Sequence, residues 1–529
     1  MLLPLVPALR SATGALLVGF CWLSVILLSG KRTATRNDAL DAGLLALSAW
    51  VVLTICWSSH PATTLGAVWR IGPGLLAFFA ARRSASPRAT TLLTSLAAVA
   101  GVLAGGALAE LAARNLCLLP PPPHWQATGR AHWPLTNPDH LAYLLEGMAP
   151  FAFLAYVRRP SPARLVNALV LMAALAATLS ASAPLALLVV ALVLGRPSAS
   201  DENPPSHAVR RDDLRRRIMA VALAASAMLP YWWLGTRRAL TDGNPAGERL
   251  LIWRAGAQAW LERPFTGFGF GCFTRAMAPH QDWLDRFDYT YAHSCLVEWP
   301  VATGVVGALL ALFCLAGWWR RLNRTTWQTR AAAAGCGVML LHECFDFGLL
   351  ETAASCWFGF LAGFAVARDT VSPAGTASAP DGGRAWWSVN LAPAGVVLLA
   401  VIAGVACALG SARGAAAAPA GSNQAAILRV ADQDPRNPAP LLEAADLALK
   451  TGDSITAERL ARLALARQPG LAQARLLLAA SLLRLGRRDA ARQTIQPLIP
   501  FYNGLPKMEK LEAKDEIARL AALARALKE

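Results

Sequence analysis

Long apolar runs broken by short basic clusters fill the first 410 positions of the chain. A membrane-spanning helix needs about 20 mainly apolar residues. Runs of that kind occupy 12–30, 39–57, 64–81, 90–113, 138–157, 164–180, 182–195, 217–235, 295–319, 331–346, 353–368 and 388–410. Several are short or contain proline, and the two meeting at 180–184 read as short helices joined by a tight turn. One polar, glycine-kinked stretch, 236–294, interrupts the series. Residues 369–387, rich in Pro, Gly, Ser and Ala, read as a flexible linker before the last span.

From about 421 the pattern changes to amphipathic helix with a long period. Asp434-Pro435 is followed 34 residues later by Gln468-Pro469. Gly452 and Gly486, Ala445 and Ala479, and Ala457 and Ala491 keep the same spacing. Small residues at that period, where helices cross, are the tetratricopeptide signature. The stretch 421–529 therefore reads as about two such repeats with half-repeats and a capping helix near 506–528. A plain helical hairpin explains the coincident spacings less well.

Composition fits this division. The chain has 529 residues, 55% hydrophobic and only 16% charged, against about 25% charged in a soluble protein. The fold expected is all-α: a polytopic membrane bundle of about 12 helices over 1–410 and a small helical repeat domain over 421–529. The formal charge of +17 does not signal nucleic acid, because the basic residues sit in short clusters between apolar runs. Lys31, Arg32 and Arg36; Arg82, Arg83 and Arg88; Arg158, Arg159 and Arg164; Arg196 with the arginines of 210–217; and Arg320, Arg321, Arg324 and Arg330 occupy alternate loops. The opposite short loops, 58–63, 181–183 and 347–352, have no Lys or Arg. The positive-inside rule places the basic loops and the 369–387 linker in the cytoplasm. By alternation the loop 236–294 and the repeat domain fall outside. Trp57, Trp232, Trp233, Trp318 and Trp319 stand at span ends, where interfacial anchors belong. No cleavable signal peptide is evident. The ten cysteines show no C-x-x-C spacing for zinc, and most lie in apolar runs. Cys117, Cys272 and Cys295 face the outer side in this topology; chance placement explains them better than a disulfide.

The stretch 248–307 gathers the residues able to carry chemistry. Glu248-Arg249 opens a helical run with Trp253, Arg254 and Trp260. Pro264-Phe-Thr-Gly267-Phe-Gly269-Phe-Gly271 reads as a tight turn; no strand precedes it, so it is not a nucleotide loop. A polar, aromatic run leads to Ala292-His293-Ser294, then to Glu298 and Gly304-Val-Val-Gly307 at the head of an apolar helix. Long loops of this kind are usually functional. Asp282, Asp285 and Asp288 are three apart, and a solvated helical face explains them better than a Ca²⁺ loop, which alternates its oxygen ligands around a turn glycine.

This stretch resembles the large extracytoplasmic loop of the O-antigen ligase and O-antigen polymerase superfamily. The matching residues are Arg249, Trp253, Pro264, Gly267, Gly269, His293, Gly304 and Gly307. Ser294 stands where the family usually has Asn, Glu298 lies closer to the His than the family's Glu, and Pro300 is unexpected in that helix. The resemblance continues, in order, through Thr54-Ile-Cys-Trp57-Ser58-Ser-His-Pro61, through Arg130 with Asn137-Pro-Asp-His-Leu-Ala142, and through Leu341-His342-Glu-Cys-Phe-Asp346-Phe-Gly-Leu349. It covers most of 40–370. One departure is Ser180-Ala-Ser182-Ala183, where the family often has Ser-x-Ser-Arg, so an arginine is missing.

The resemblance implies a GT-C-like bundle in the bacterial inner membrane. It implies metal-independent, inverting transfer of a glycan from a polyprenyl-diphosphate donor to a sugar or lipid-core hydroxyl, with no cofactor. Arginine suits the anionic leaving group, because its planar fork binds phosphate oxygens bidentately and keeps its charge. Histidine suits the base that deprotonates the acceptor. Arg249 and Arg130 are accordingly assigned to the diphosphate and His293 to the base. Arg70 is a further phosphate ligand, since a charge inside a span is functional by default; snorkelling to the interface competes with that role. Arg254, Asn137 and Asp346 complete the substrate-binding set. Arg249 paired with Glu248 or Glu262, Arg254 as a solvated cation, and His293 as a helix-entry residue are the plainer alternatives. Ligation, polymerisation and transfer to protein all fit. The repeat tail favours a system with protein partners, because ligation alone needs no docking module. A lipid-linked glycan flippase is the competing class, although transporters usually show internal repeats and none is visible. A scaffold with a membrane anchor is a third class, for which so many spans are excessive.

Overall fold

The computed structural model describes residues 39–83, 87–118, 130–135, 137–158, 160–180, 245–286, 289–323, 326–367, 424–505, 510 and 513–528. The expected spans 12–30, 182–195, 217–235 and 388–410, the linker 369–387, Trp232, Trp233 and Asp288 lie outside them. The eight other apolar runs all fall on helices. These are α1 (Ala39–Leu53, extended by a 3-10 turn, Thr54–Trp57), α2 (Pro61–Arg83), α3 (Pro87–Asn115), α4 (Pro138–Arg158) and α5 (Pro162–Ala177), then α8 (Cys295–Arg320), α9 (Trp327–Glu343) and α10 (Thr352–Ala365). Between α5 and α8 the loop contributes α6 (Pro245–Glu262) and α7 (Phe273–Met277). Among the described residues four segments are long and apolar enough, by length and composition, to cross a membrane: Ala39–Trp57, Pro61–Arg82, Ser95–Asn115 and Cys295–Arg320. Helices α4 and α9 carry buried acidic and histidine side chains within apolar frames, and those side chains build the site.

Close packing in the bundle depends on small residues, as it must where lipid gives helices little hydrophobic reason to associate. Helices α2 and α10 touch backbone to backbone: a Cβ added to Gly359 would fall on the Gly74 carbonyl. A buried apolar core runs through α2, α4, α9 and α10, with Tyr143, Leu145, Met148, Phe151 and Leu361 almost without exposure. At one end of these helices stand Arg82, Arg83, Arg164, Arg320, Arg321 and Arg330. At the other end the 54–60, 130–140, 178–180 and 341–350 segments converge on the loop. Trp318 corrects the interfacial expectation: its ring is buried and its Nε1 donates to the Ala362 carbonyl at 3.0 Å, whereas Trp319 is exposed.

The C-terminal part is a stack of short antiparallel helices: α11 (Gln424–Gln433), α12 (Ala439–Lys450), α13 (Ser454–Arg467), α14 (Ala472–Arg484), α15 (Arg488–Ile495), α16 (Leu498–Gly504) and α17 (Lys514–Ala526). The periodic alanines Ala445, Ala457, Ala479 and Ala491 are each 0% exposed, because they stand where helices cross. Gly452 and Gly486 both adopt the left-handed conformation, φ 89° and 76°, in equivalent turns between hairpin arms. Glycine adopts that conformation without a Cβ penalty. The unit packs onto the loop, with Gln468 against Gln281 and Arg436 against Glu262.

Candidate functional site

Helix α8 is broken at Gly304, whose φ of 68° and ψ of −177° are not helical. The break removes helical donors from the carbonyls of Val301 and Ala302. The glycine-rich turn replaces them: Phe268 N donates to Val301 O at 2.9 Å and Gly269 N to Ala302 O at 3.0 Å. In return, Val305 N donates to Pro264 O at 2.8 Å. Gly267, Gly269 and Gly271 all have positive φ, and a Cβ on Gly304 would meet the Phe265 carbonyl. This pairing explains why glycines recur on both sides. The segment before α2 holds the turn from the other side. Trp57 Nε1 donates to Thr266 O at 2.9 Å, Ser59 N to Phe268 O at 2.8 Å, and Phe270 N to Thr54 Oγ1 at 3.2 Å.

The loop then returns to α8 through Ala292 and His293. Ala292 is held twice: its N–H donates to Glu298 Oε2 at 2.7 Å, and its carbonyl accepts from Trp253 Nε1 at 2.8 Å. Glu298 therefore has a task at its shorter spacing, fixing the residue before the histidine. His293 takes a left-handed φ of 51°, rare for a side-chain-bearing residue and characteristic of constrained sites. Its Nδ1 lies 3.3 Å from Asp346 Oδ1, with the imidazole 34% exposed and the carboxylate 6% exposed. Asp346 in turn faces His342, whose Nε2 is 3.6 Å from Asp346 Oδ2 and 3.3 Å from Ser180 Oγ. His342 Nδ1 is 2.8 Å from Glu146 Oε2, and the ring stacks on Tyr143 with centroids 4.0 Å apart. Tyr143 donates to Glu343 at 2.5 Å. A buried polar cluster thus descends from the loop into the bundle between α4 and α9, and the exposed histidine tops it.

Phe347 organises the flank. Tyr291 stacks on it at 4.1 Å, while His293 and His140 meet it edge-on at 5.0 and 5.5 Å. Arg70 donates to the Tyr291 hydroxyl at 3.1 Å. Burial pushes the Tyr291 phenol above its ordinary value, although Arg70 opposes the shift. Arg249 is half-buried in the first turns of α6, and among the described residues its side chain has no ion pair or hydrogen bond. Beside it, burial raises the Glu248 carboxyl, Asp285 adds to the shift and His293 opposes it, so this end of α6 faces the loop's return.

The other expected ligands have partners. Arg130 donates to Asp139 and to the Thr178 carbonyl, both at 2.5 Å. Asn137 accepts from Asp139 N at 2.8 Å at the head of α4. Arg254 pairs with Asp282 at 2.9 Å in solvent. So His293, Asp346, Arg70 and the Arg249 end of α6 come together; Arg130 and Asn137 support the entrance to α4; Arg254 stands apart. Tyr291, Phe347 and Glu343 stood within stretches the sequence marked but were given no role, and Tyr143 and Glu146 were not singled out. The only signal of these last two was polar or aromatic character inside an apolar run.

Among curated proteins none matches this chain. The matched stretch described next contains Arg249, Arg254 and His293, and leaves Arg70, Arg130, Asn137 and Asp346 outside. Residues 147–312, from the middle of α4 through the loop to the middle of α8, match the family model described as O-antigen ligase: the chain carries a domain of the O-antigen ligase and polymerase superfamily.

Proposed function

We propose that this chain transfers a glycan from a polyprenyl-diphosphate donor to an acceptor sugar hydroxyl by a single, inverting displacement on the outer face of the inner membrane. The observation that carries the reading is the His293–Asp346 pair at the loop's return, toward which the first turns of α6, with half-buried Arg249, are directed through Glu248. With Nδ1–H donated to Asp346, the lone pair of His293 Nε2 faces outward and takes the acceptor proton. The acceptor oxygen bonds to the anomeric carbon as the carbon–diphosphate bond breaks. Arg249 and, past Tyr291, Arg70 neutralise the departing diphosphate. Arg130 joins them only by exchanging Asp139 for phosphate. No cation is required, because arginine supplies the positive charge.

The helical stack, with its 34-residue period, supports a tetratricopeptide-like assignment and a system that builds or exports polymer with protein partners. The test is a reconstituted assay with a lipid-diphosphate-linked donor and a glycan or lipid-core acceptor, with the anomeric configuration of the product read by NMR. Product of inverted configuration, lost in His293→Ala, supports the reading. Translocation of the donor without bond formation would favour a flippase.

A further inference from the structure

We propose that the C-terminal repeat unit acts in cis as the outer support of the catalytic loop, with Asp285 as a positioning residue, so that undocking the unit lowers transfer. Only the identity of the reaction rests on the function proposed above. A module that served recruitment alone, on a flexible linker, would meet the loop through exposed charge pairs. The contact here differs in kind. Asp285 N donates to Gly470 O at 2.9 Å and Ala472 N donates to Asp285 O at 3.0 Å, a two-bond backbone bridge between loop and repeat unit. Gln468 Nε2 donates to Gln281 Oε1 at 2.8 Å, with both residues at most 1% exposed. Desolvating two amides is tolerable only when they pair. Leu284 packs into the repeat core. Arg286 reaches Glu516 at 3.0 Å, and Glu516 also accepts from Tyr502 within the unit at 2.8 Å. Asp434 accepts from Arg275 at 2.6 Å, and the Arg436 guanidinium lies 4.5 Å over the Phe268 ring of the glycine-rich turn.

The docked segment is also tied inward. The Asp285 carboxylate accepts from the Tyr289 hydroxyl, and the Tyr289 carbonyl accepts from Thr274 Oγ1 at 2.8 Å. Two residues further on, Tyr291 stacks on Phe347, and two beyond that stands His293. The repeat unit thus grips the loop just upstream of the base.

Gly470 supplies a clean perturbation. The nearest atoms a Cβ would meet there, the Trp283 carbonyl and Gln281, all belong to the loop and none to the repeat unit. Gly470→Leu in the full chain should therefore speed hydrogen exchange of the 281–286 segment while leaving α13 and α14 unchanged. The turnover number should fall about tenfold or more, as expected when a catalytic group is misplaced, with little change in the donor KM. The rate at which diethyl pyrocarbonate modifies His293 should change severalfold. Glu516→Arg should act in the same direction, and Arg286→Glu combined with Glu516→Arg should restore docking and turnover. Faster exchange at 281–286 with unchanged transfer and unchanged His293 reactivity would overturn the proposal, making the unit a mere tether. Unchanged exchange and transfer in both single variants would overturn it as well, since these contacts would then not hold the parts together. If the unaltered protein transfers no glycan, the reaction is wrong, and His293 reactivity still decides the positioning.

Discussion

At the scale of single residues, the arrangement around His293 sets expectations for its neighbours. His293→Ala should abolish transfer in the reconstituted assay while membrane insertion stays normal, a loss of about 10²–10⁴-fold for a positioned base. Asp346→Asn keeps the volume but weakens the hold on the tautomer. It should lower turnover by on the order of 10²-fold, the low end of that range, with the donor KM nearly unchanged. Arg249→Lys should be nearly as damaging as Arg249→Ala, because lysine keeps the charge and loses the fork; recovery of most activity with lysine would replace bidentate binding by a point charge. His293 and Arg249 were visible in the sequence because they lie in one continuous stretch with its own turn chemistry. The groups around them were not. Asp346 lies 53 residues from His293, and Glu146 lies 196 from His342. No periodicity within one helix announces pairings over such separations, so His342 and Phe347 were legible only as parts of a short motif and Glu146 and Tyr143 not at all.

At the scale of elements, the apolar runs located the described helices within a few residues. The runs overshot the C-terminal ends of α5, α9 and α10 alike; α9 ends at Glu343, where the apolar run had extended to 346. Asp346 lies beyond the helix because its carboxylate accepts from Phe347 N at 3.0 Å and faces two histidines. Glycine spacing marked the tight turn but did not reveal that the turn completes a broken helix, since the partner carbonyls lie more than thirty positions away. The entry to α2 carries a pH dependence. Burial and the Arg275 charge hold His60 below the ordinary histidine value, with Asp434 opposing them. A histidine with a depressed folded value takes its proton more readily when the chain unfolds. Its contribution to stability is therefore full above pH about 6.5, the ordinary histidine value, and declines as pH falls below it. Thermal stability should fall on acidification, and His60→Gln should flatten that fall.

At the scale of the whole molecule, the division into membrane bundle, loop and helical stack was legible from hydropathy and the 34-residue period. The docking of the stack on the loop was not, because Gln281, Asp285 and Gln468 look like ordinary surface residues in sequence. The four interior alanines show why the period itself was readable: crossing helices accept only small side chains there. Loop and stack share one side of the bundle, opposite the arginine-rich helix ends, and we predict that both face the exterior. Alkaline phosphatase fused at the C-terminus should be active and a cytoplasmic fluorescent protein dark; the reverse would invert the topology. Transfer should also survive EDTA, and a loss restored by Mg²⁺ or Mn²⁺ would redirect attention to Asp282, Asp285 and Asp288.

The interruption of α8 at Gly304 also bears on biogenesis. Two of its carbonyls and one of its amides find their partners only in 264–269, and in hydrocarbon each unpaired backbone group costs several kcal/mol. Helix α8 is therefore not a self-sufficient membrane segment. Its complement precedes it in the chain, so the glycine-rich turn is already synthesised when α8 arrives at the translocation machinery. Chain order thus supplies the clasp before the segment that needs it. A variant with the order of the two reversed by circular permutation would have to insert α8 with its break unpaired.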